Sequence, residues 1–192
     1  MNIYTETKGF TMLISRNDSC LLIIDVQERL APAMNDPRKV IDGCARLLKG
    51  AALLNVPAIV TEQYPKGLGP TIFDVREAAG ESIFFPKTSL SAVQEDGFMQ
   101  KLEALNKKQI IIAGIEEHVC VLQTAVELKE KGYDVFIVAD ACGSRTPESE
   151  LYAEKRFQSE NIVPVTVEMV FFEWLRVAGS LEFKEVQKRL IR

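Results

Sequence analysis

Apolar and polar positions repeat on two scales along this chain. From residue 19 onward, short β-branched apolar runs take turns with longer segments in which apolar residues recur every three or four positions. The runs Cys20–Asp25, Ala58–Thr61, Ser82–Phe85, Gln109–Ala113, Asp134–Ala139 and Ile162–Thr166 predict strands. Apolar residues crowd both faces of most of them, the pattern of parallel strands covered by helices on both sides. Between them, Pro37–Leu54, Leu90–Leu105, Val119–Lys131 and Pro147–Ser159 predict helices, and Glu168–Val177 and Phe183–Leu190 two closing ones. Val40, Cys44, Leu47, Leu48 and Ala51 carry the helical period of the first, and Pro37 suits its first turn. Gly132 reads as the C-cap of the third. The alternation predicts an α/β fold, a three-layer α/β/α sandwich on a mostly parallel sheet of about six strands. Residues 1–17 fall outside it and are expected to form an N-terminal arm or tail, with 18–192 a single domain. Gln63–Thr71, with Pro65, Gly67, Gly69 and Pro70, reads as a long loop after the second strand. Open α/β sheets place ligands at such loops.

Composition narrows the function. At 192 residues and 47% hydrophobic, the chain is no disordered polymer. Its 23 basic residues against 27 acidic ones, with no Lys/Arg block, argue against a nucleic-acid partner. No apolar run approaches the ~20 residues of a membrane helix, so no membrane partner is expected. The start lacks the basic-then-apolar pattern of an export signal, and four cysteines are too sparse for a disulfide framework. Reduced thiols in the cytoplasm are the expectation. The single histidine, His118, cannot supply the nitrogen-rich set that a catalytic zinc prefers. The expectation is therefore no metal and no cofactor.

The motifs that this architecture invites are mostly missing. After the first strand the chain reads Asp25-Val26-Gln27-Glu28-Arg29, with no G-x-G-x-x-G, and neither a phosphate loop nor a G-x-S-x-G elbow occurs. Three strand-end residues carry the chemistry instead. Asp25 closes the apolar run Leu21 to Ile24, and it reads either as a carboxylate facing the crevice or as a cap of the next turn. Lys87 follows Ile83-Phe84-Phe85-Pro86, either as a solvated charge or as a cation converging with Asp25. Cys120 lies just beyond a central strand, where a helix start favours a thiolate. The alternative is a small buried hydrophobe, as Cys20 and Cys44 read. Together they form a base, a cation and a nucleophile, with backbone amides near Cys120 for an oxyanion. Lys87 and the helix end predict a depressed thiol pKa, opposed by Asp25, Glu116 and Glu117. Gln63, Tyr64 and His118 are candidate substrate-pocket residues, the first two by loop position.

These residues resemble the isochorismatase-like cysteine hydrolases over roughly Ser19 to Ala178. The markers are Leu22-Ile23-Ile24-Asp25-Val26-Gln27, Pro86-Lys87-Thr88-Ser89, Gly114 to Val121, and Asp140-Ala141-Cys142 leading to Arg145. Thr166-Val167-Glu168-Met169 and Phe172-Glu173-Trp174-Leu175 are similar to the isochorismatase-domain-containing branch. The resemblance implies an Asp–Lys–Cys triad of Asp25, Lys87 and Cys120, and a non-proline cis peptide at Glu116–Glu117 that aims an oxyanion-hole amide. Glu117 departs from the family, which usually carries a small residue or threonine there. Glu62-Gln63-Tyr64-Pro65 lacks the aspartate and histidines of the zinc-binding nicotinamidase branch. Cys120 stands where true isochorismatases have glycine. The implied function is metal-independent hydrolysis of a small amide, ureide or related C–N substrate through a Cys120 thioester. The alternatives are an isochorismatase-type vinyl-ether hydrolase and a non-catalytic interaction protein retaining the fold. A homo-oligomer, dimer or higher, is expected, because a closing helix could not bury all of Phe171, Phe172, Trp174 and Leu175 against one sheet face.

Overall fold

The computed structural model describes residues 13–191. Its strands are β1 (Ser19–Ile24), β2 (Ala58–Gln63), β3 (Ile83–Lys87), β4 (Gln109–Gly114), β5 (Asp134–Cys142) and β6 (Val163–Val165). They form one sheet in the order β3-β2-β1-β4-β5-β6, every neighbouring pair parallel. Leu21–Ile24 and Ile110–Ala113 are wholly buried, as a sheet with helices on both faces requires. The helices are α1 (Pro37–Leu53), α2 (Pro65–Leu68), α3 (Phe73–Ala79), α4 (Phe98–Ala104), α5 (Leu122–Glu130), α6 (Pro147–Ser159), α7 (Val167–Leu175) and α8 (Leu181–Leu190). Right-handed crossovers put α1 and α3 on one face and α4, α5 and α6 on the other. Both α7 and α8 return to pack on α1. The direction of winding reverses between β1 and β4. That reversal opens a crevice at their carboxyl ends.

Local chemistry explains most element boundaries. Asp36 caps α1 by accepting from Lys39 N–H at 3.0 Å, and Pro37 fills the first turn. The buried stripe of α1 includes Gly50, where a Cβ would come within 2.3 Å of the Phe171 ring. This close approach lets α7 bury Phe171 and Trp174, whose indole N–H donates to Ser19 Oγ at 3.0 Å. Phe172 stays 44% exposed. The closing helix therefore buries part of its apolar segment and leaves part of it outside.

The structure departs from the sequence pattern in several places. Leu90–Leu105 is not one helix. Ser91 caps a short 3₁₀ turn over Ala92–Gln94, and Gly97 at φ +83° breaks the chain before α4. The helix α3 was not foreseen, being too short to display a period; it buries Val75, Ala78 and Ala79. Pro65–Leu68 makes a single helical turn inside the expected loop. β5 continues to Cys142, with a register shift opposite Ile112–Gly114. Of the segment 1–17, residues 1–12 lie outside the described residues. Ile14 is buried and donates its N–H to Glu173, and Ser15 N–H donates to Gln109 Oε1, both at 2.6 Å.

Candidate active site

Asp25 is the first residue past β1 and takes a left-handed conformation at φ +55°, turning the chain away from the sheet. Its carboxylate is fully buried. Oδ1 accepts from Thr61 Oγ1 at 2.7 Å, and Lys87 Nζ lies 2.7 Å from Oδ2. Lys87 closes β3, two strands away and roughly 10 Å across at ordinary strand spacing, so its side chain must span the end of β2. There it also donates to Gln63 Oε1 at 2.5 Å and to the carbonyls of Ser89 and Leu90 at 3.1 Å. The turn presenting those carbonyls is tied by Glu95, whose Oε2 accepts from Thr88 and Ser89 N–H at 2.8 Å. These bonds hold the Glu95 carboxyl below its usual range. The buried cation is therefore paired and hydrogen-bonded, the condition under which a protein tolerates it.

Cys120 arrives from the other side of the reversal. Gly114, at φ +123°, lets β4 end against β1; a Cβ there would fall 2.1 Å from Ile24 O. The cis peptide implied at Glu116–Glu117 lies one bond earlier, at Ile115–Glu116. Glu117 N–H is committed to Gly143 O at 2.9 Å, so this residue offers no amide to an oxyanion. Glu117–Val121 then form a π-helical turn in which Val121 N–H reaches back to Glu116 O at 3.2 Å. Cys120 sits in that turn, ahead of α5 instead of within its first turn, and is 5% exposed. Its Sγ lies 4.0 Å from Gln63 Oε1, and it is close enough to Asp25 for each group to act on the other's ionisation. Burial pushes the thiol up to about 12; Asp25 adds to this and Lys87 opposes it. The expected depressed thiol is thus corrected, because desolvation outweighs the nearby cation. Burial raises the Asp25 carboxyl too, against the pull of Lys87 and Thr61.

Asp25, Lys87 and Cys120 therefore converge, and the other candidates sort around them. Gln63 has both amide ends engaged, its Nε2 donating to Thr88 O at 2.8 Å. Tyr64 is 55% exposed and left-handed at φ +37°, with its N–H on Lys87 O. His118 Nδ1 lies 2.8 Å from Ser144 Oγ. Glu116 pairs with Arg145 at 2.7 Å. Glu117 is buried, and the charges acting on it belong to Lys39, Glu150 and Glu154. It is not the second carboxylate beside the thiol that the sequence suggested. Among the described residues, no group of His, Cys, Asp and Glu side chains is arranged to hold a metal ion.

Two residues were missed from the sequence. Thr61 ends β2's apolar run beside Asp25, a position that could have flagged it. Gln27 carried no such signal. Fully buried, it accepts from Gln63 N–H at 2.7 Å and donates to the carbonyls of Gln63 and Gly69 at 3.0 and 2.7 Å. It thereby fixes both β2's end and the loop beyond.

The family model of the Isochorismatase domain matches residues 19–169. The chain belongs to the isochorismatase family. Isochorismatase domain-containing protein 2 of Danio rerio is 38% identical over 178 residues, 92% of this chain and 89% of that protein. Among solved structures, MAR1 ribonuclease from Caenorhabditis elegans superposes with a TM-score of 0.88 at 34% identity, covering 94% of this chain and 93% of that one. The YcaC gene product of Escherichia coli, described as an octameric hydrolase of unknown specificity, gives 0.88 at 25% identity over 94% and 91%. YcaC from Pseudomonas aeruginosa, solved with hexane-2,5-diol and covalent acrylamide, gives 0.86 at 26% over 92% and 91%. The parallel six-stranded α/β sheet is that of the isochorismatase-like hydrolase fold.

Proposed function

We propose that this isochorismatase-family chain is a metal-independent cysteine hydrolase of small amides, ureides or related C–N compounds. The observation that carries the reading is the dry Asp25–Lys87 pair at 2.7 Å with the Cys120 thiol against it. A thiol pushed up to about 12 does not attack as a standing thiolate; it needs a base in contact. Asp25 takes its proton as Sγ bonds to the substrate carbonyl carbon, while Lys87 keeps its charge and balances the negative charge on sulfur and oxygen. The amides of Glu117, His118, Val119 and Val121 are committed to Gly143 O, Ser144 Oγ and Glu116 O. The reading therefore assigns the oxyanion to the amides of Glu116 and Cys120. Protonated Asp25 passes its proton to the departing amine as the C–N bond breaks. Water, giving a proton to the same carboxylate, then hydrolyses the thioester and returns the thiol.

The covalent acrylamide carried by Pseudomonas YcaC is consistent with a reactive nucleophile in that protein. Glu117, the reason for considering a non-catalytic scaffold, faces Lys39, Glu150 and Glu154, which favours the catalytic reading. A panel of small amides and ureides, with wild type and Cys120→Ala, tests the proposal. Hydrolysis should appear in wild type, vanish in the variant and survive prolonged chelation. Equal hydrolysis by both proteins would reject it, and loss on chelation restored by one added metal would reject metal independence. RNA belongs in the same panel, because the C. elegans neighbour is described as a ribonuclease. Cleavage of RNA alone, dependent on Cys120, would replace the C–N substrate.

A further inference from the structure

The turn that carries Cys120 begins with an ionisable side chain that takes no part in this chemistry. Glu117 is 2% exposed, and its Oε1 has no hydrogen-bond partner. Its N–H donates to Gly143 O at 2.9 Å, so the main chain at this residue is tied to the segment behind the turn while the side chain is enclosed beside it. The groups acting on the carboxyl are Lys39 of α1 and Glu150 and Glu154 of α6. The Cys142 thiol of β5 also feels Glu117, and Cys44 of α1 lies beyond it. Glu150 is itself anchored, accepting from Ser144 N–H at 3.0 Å. Elsewhere on the turn, Glu116 is paired with Arg145 and His118 with Ser144, while Glu127 of α5 is bound to Ser91 and Gln94.

A carboxylate in this position is desolvated, with two other carboxylates and one lysine acting on it. The neutral acid is the form that fits. We infer that Glu117 is a positioning residue: its protonated side chain seats the turn that holds Cys120, and its ionisation unseats that turn. Burial pushes this carboxyl up to about 8, Glu154 and Glu150 adding to the shift and Lys39 opposing it. The transition therefore falls at mildly alkaline pH. The inference rests on the proposed reading only in that Cys120 is the group whose setting changes. Its test needs no substrate, so its failure would leave the hydrolase reading standing.

Acrylamide alkylation of Cys120 and unfolding by urea, each followed from about pH 5 to 9.5 in wild type and Glu117→Gln, decide the matter. Glutamine keeps the size and neutrality of the protonated acid. The variant's alkylation rate should climb about tenfold per pH unit, as for a simple thiol. Wild type should break upward from that line near pH 8, as the turn lifts and the buried sulfur becomes accessible. Wild-type stability should also fall as pH rises from the ordinary glutamate value of 4.5 to about 8, because only the folded state holds that proton. The variant should lack this fall. Superimposable alkylation profiles overturn the inference. Should Glu117→Gln fail to fold, a carbon-13 titration of the wild-type Glu117 carboxyl replaces it. A midpoint near 8, with hydrogen-exchange protection of the Glu117 amide lost over the same range, supports the inference. A midpoint below about 6, or undisturbed protection, overturns it.

Discussion

Lys87 and Asp25 have fully buried side chains, where neither charge would be stable alone. Lys87→Met should therefore cost about 3–5 kcal/mol in urea unfolding, the usual result of stranding one member of a buried pair. The same variant should slow acrylamide alkylation of Cys120, because the cation that lowers the thiol's pKa is gone. Asp25→Asn should abolish turnover, since it removes the proton acceptor that the buried thiol needs. If Lys87→Met left stability and alkylation untouched, the assigned roles would fail. Because burial holds the wild-type thiol near 12, its alkylation should keep rising with pH and show no plateau below about pH 9. A plateau below about pH 8 would mean that the cation outweighs desolvation. The sequence supplied the charges around this sulfur but not their solvation, which is why charge counting pointed the other way.

At the scale of elements, the site is a matter of where strands stop. Asp25 and Lys87 each close an apolar run, and Cys120 lies beyond a third, where a helix was expected to start, so element boundaries drew attention to all three. Gln27 left no such trace, because its role is to bond main-chain groups more than thirty residues away. Gln27→Leu should cost about 2–4 kcal/mol, having stripped three buried bonds from the end of β2 and its loop. Limited proteolysis within residues 64–71 should quicken in the same variant; an unchanged cleavage rate would show that the loop is held by other contacts. The expected helix over Leu90–Leu105 failed for a related reason. Glu95 is drawn out of the helical path to hold the turn beneath Lys87, and Gly97 resets the chain before α4. Local periodicity cannot register a side chain recruited by another strand's end. The six strands were legible because burial on both faces leaves continuous apolar runs, whereas α3 was too short to repeat its pattern.

At the scale of the whole molecule, Met169, Phe172, Val177 and Leu181 remain exposed along α7, α8 and the segment between them. The octameric state belongs to E. coli YcaC. For this chain the expectation is likewise a homo-oligomer, and light scattering at micromolar concentration should return a multiple of the single-chain mass. A monomer mass would refute it. The strand order has one more consequence, for synthesis. β1 pairs on one side with β2, and through it with β3, from the first part of the chain; on the other side it pairs with β4, which comes later. A chain emerging amino end first brings out Asp25 and Lys87 before Cys120. Cys120 thus comes last of the three, and an incomplete chain that stops short of β4 carries the carboxylate and the ammonium without the thiol.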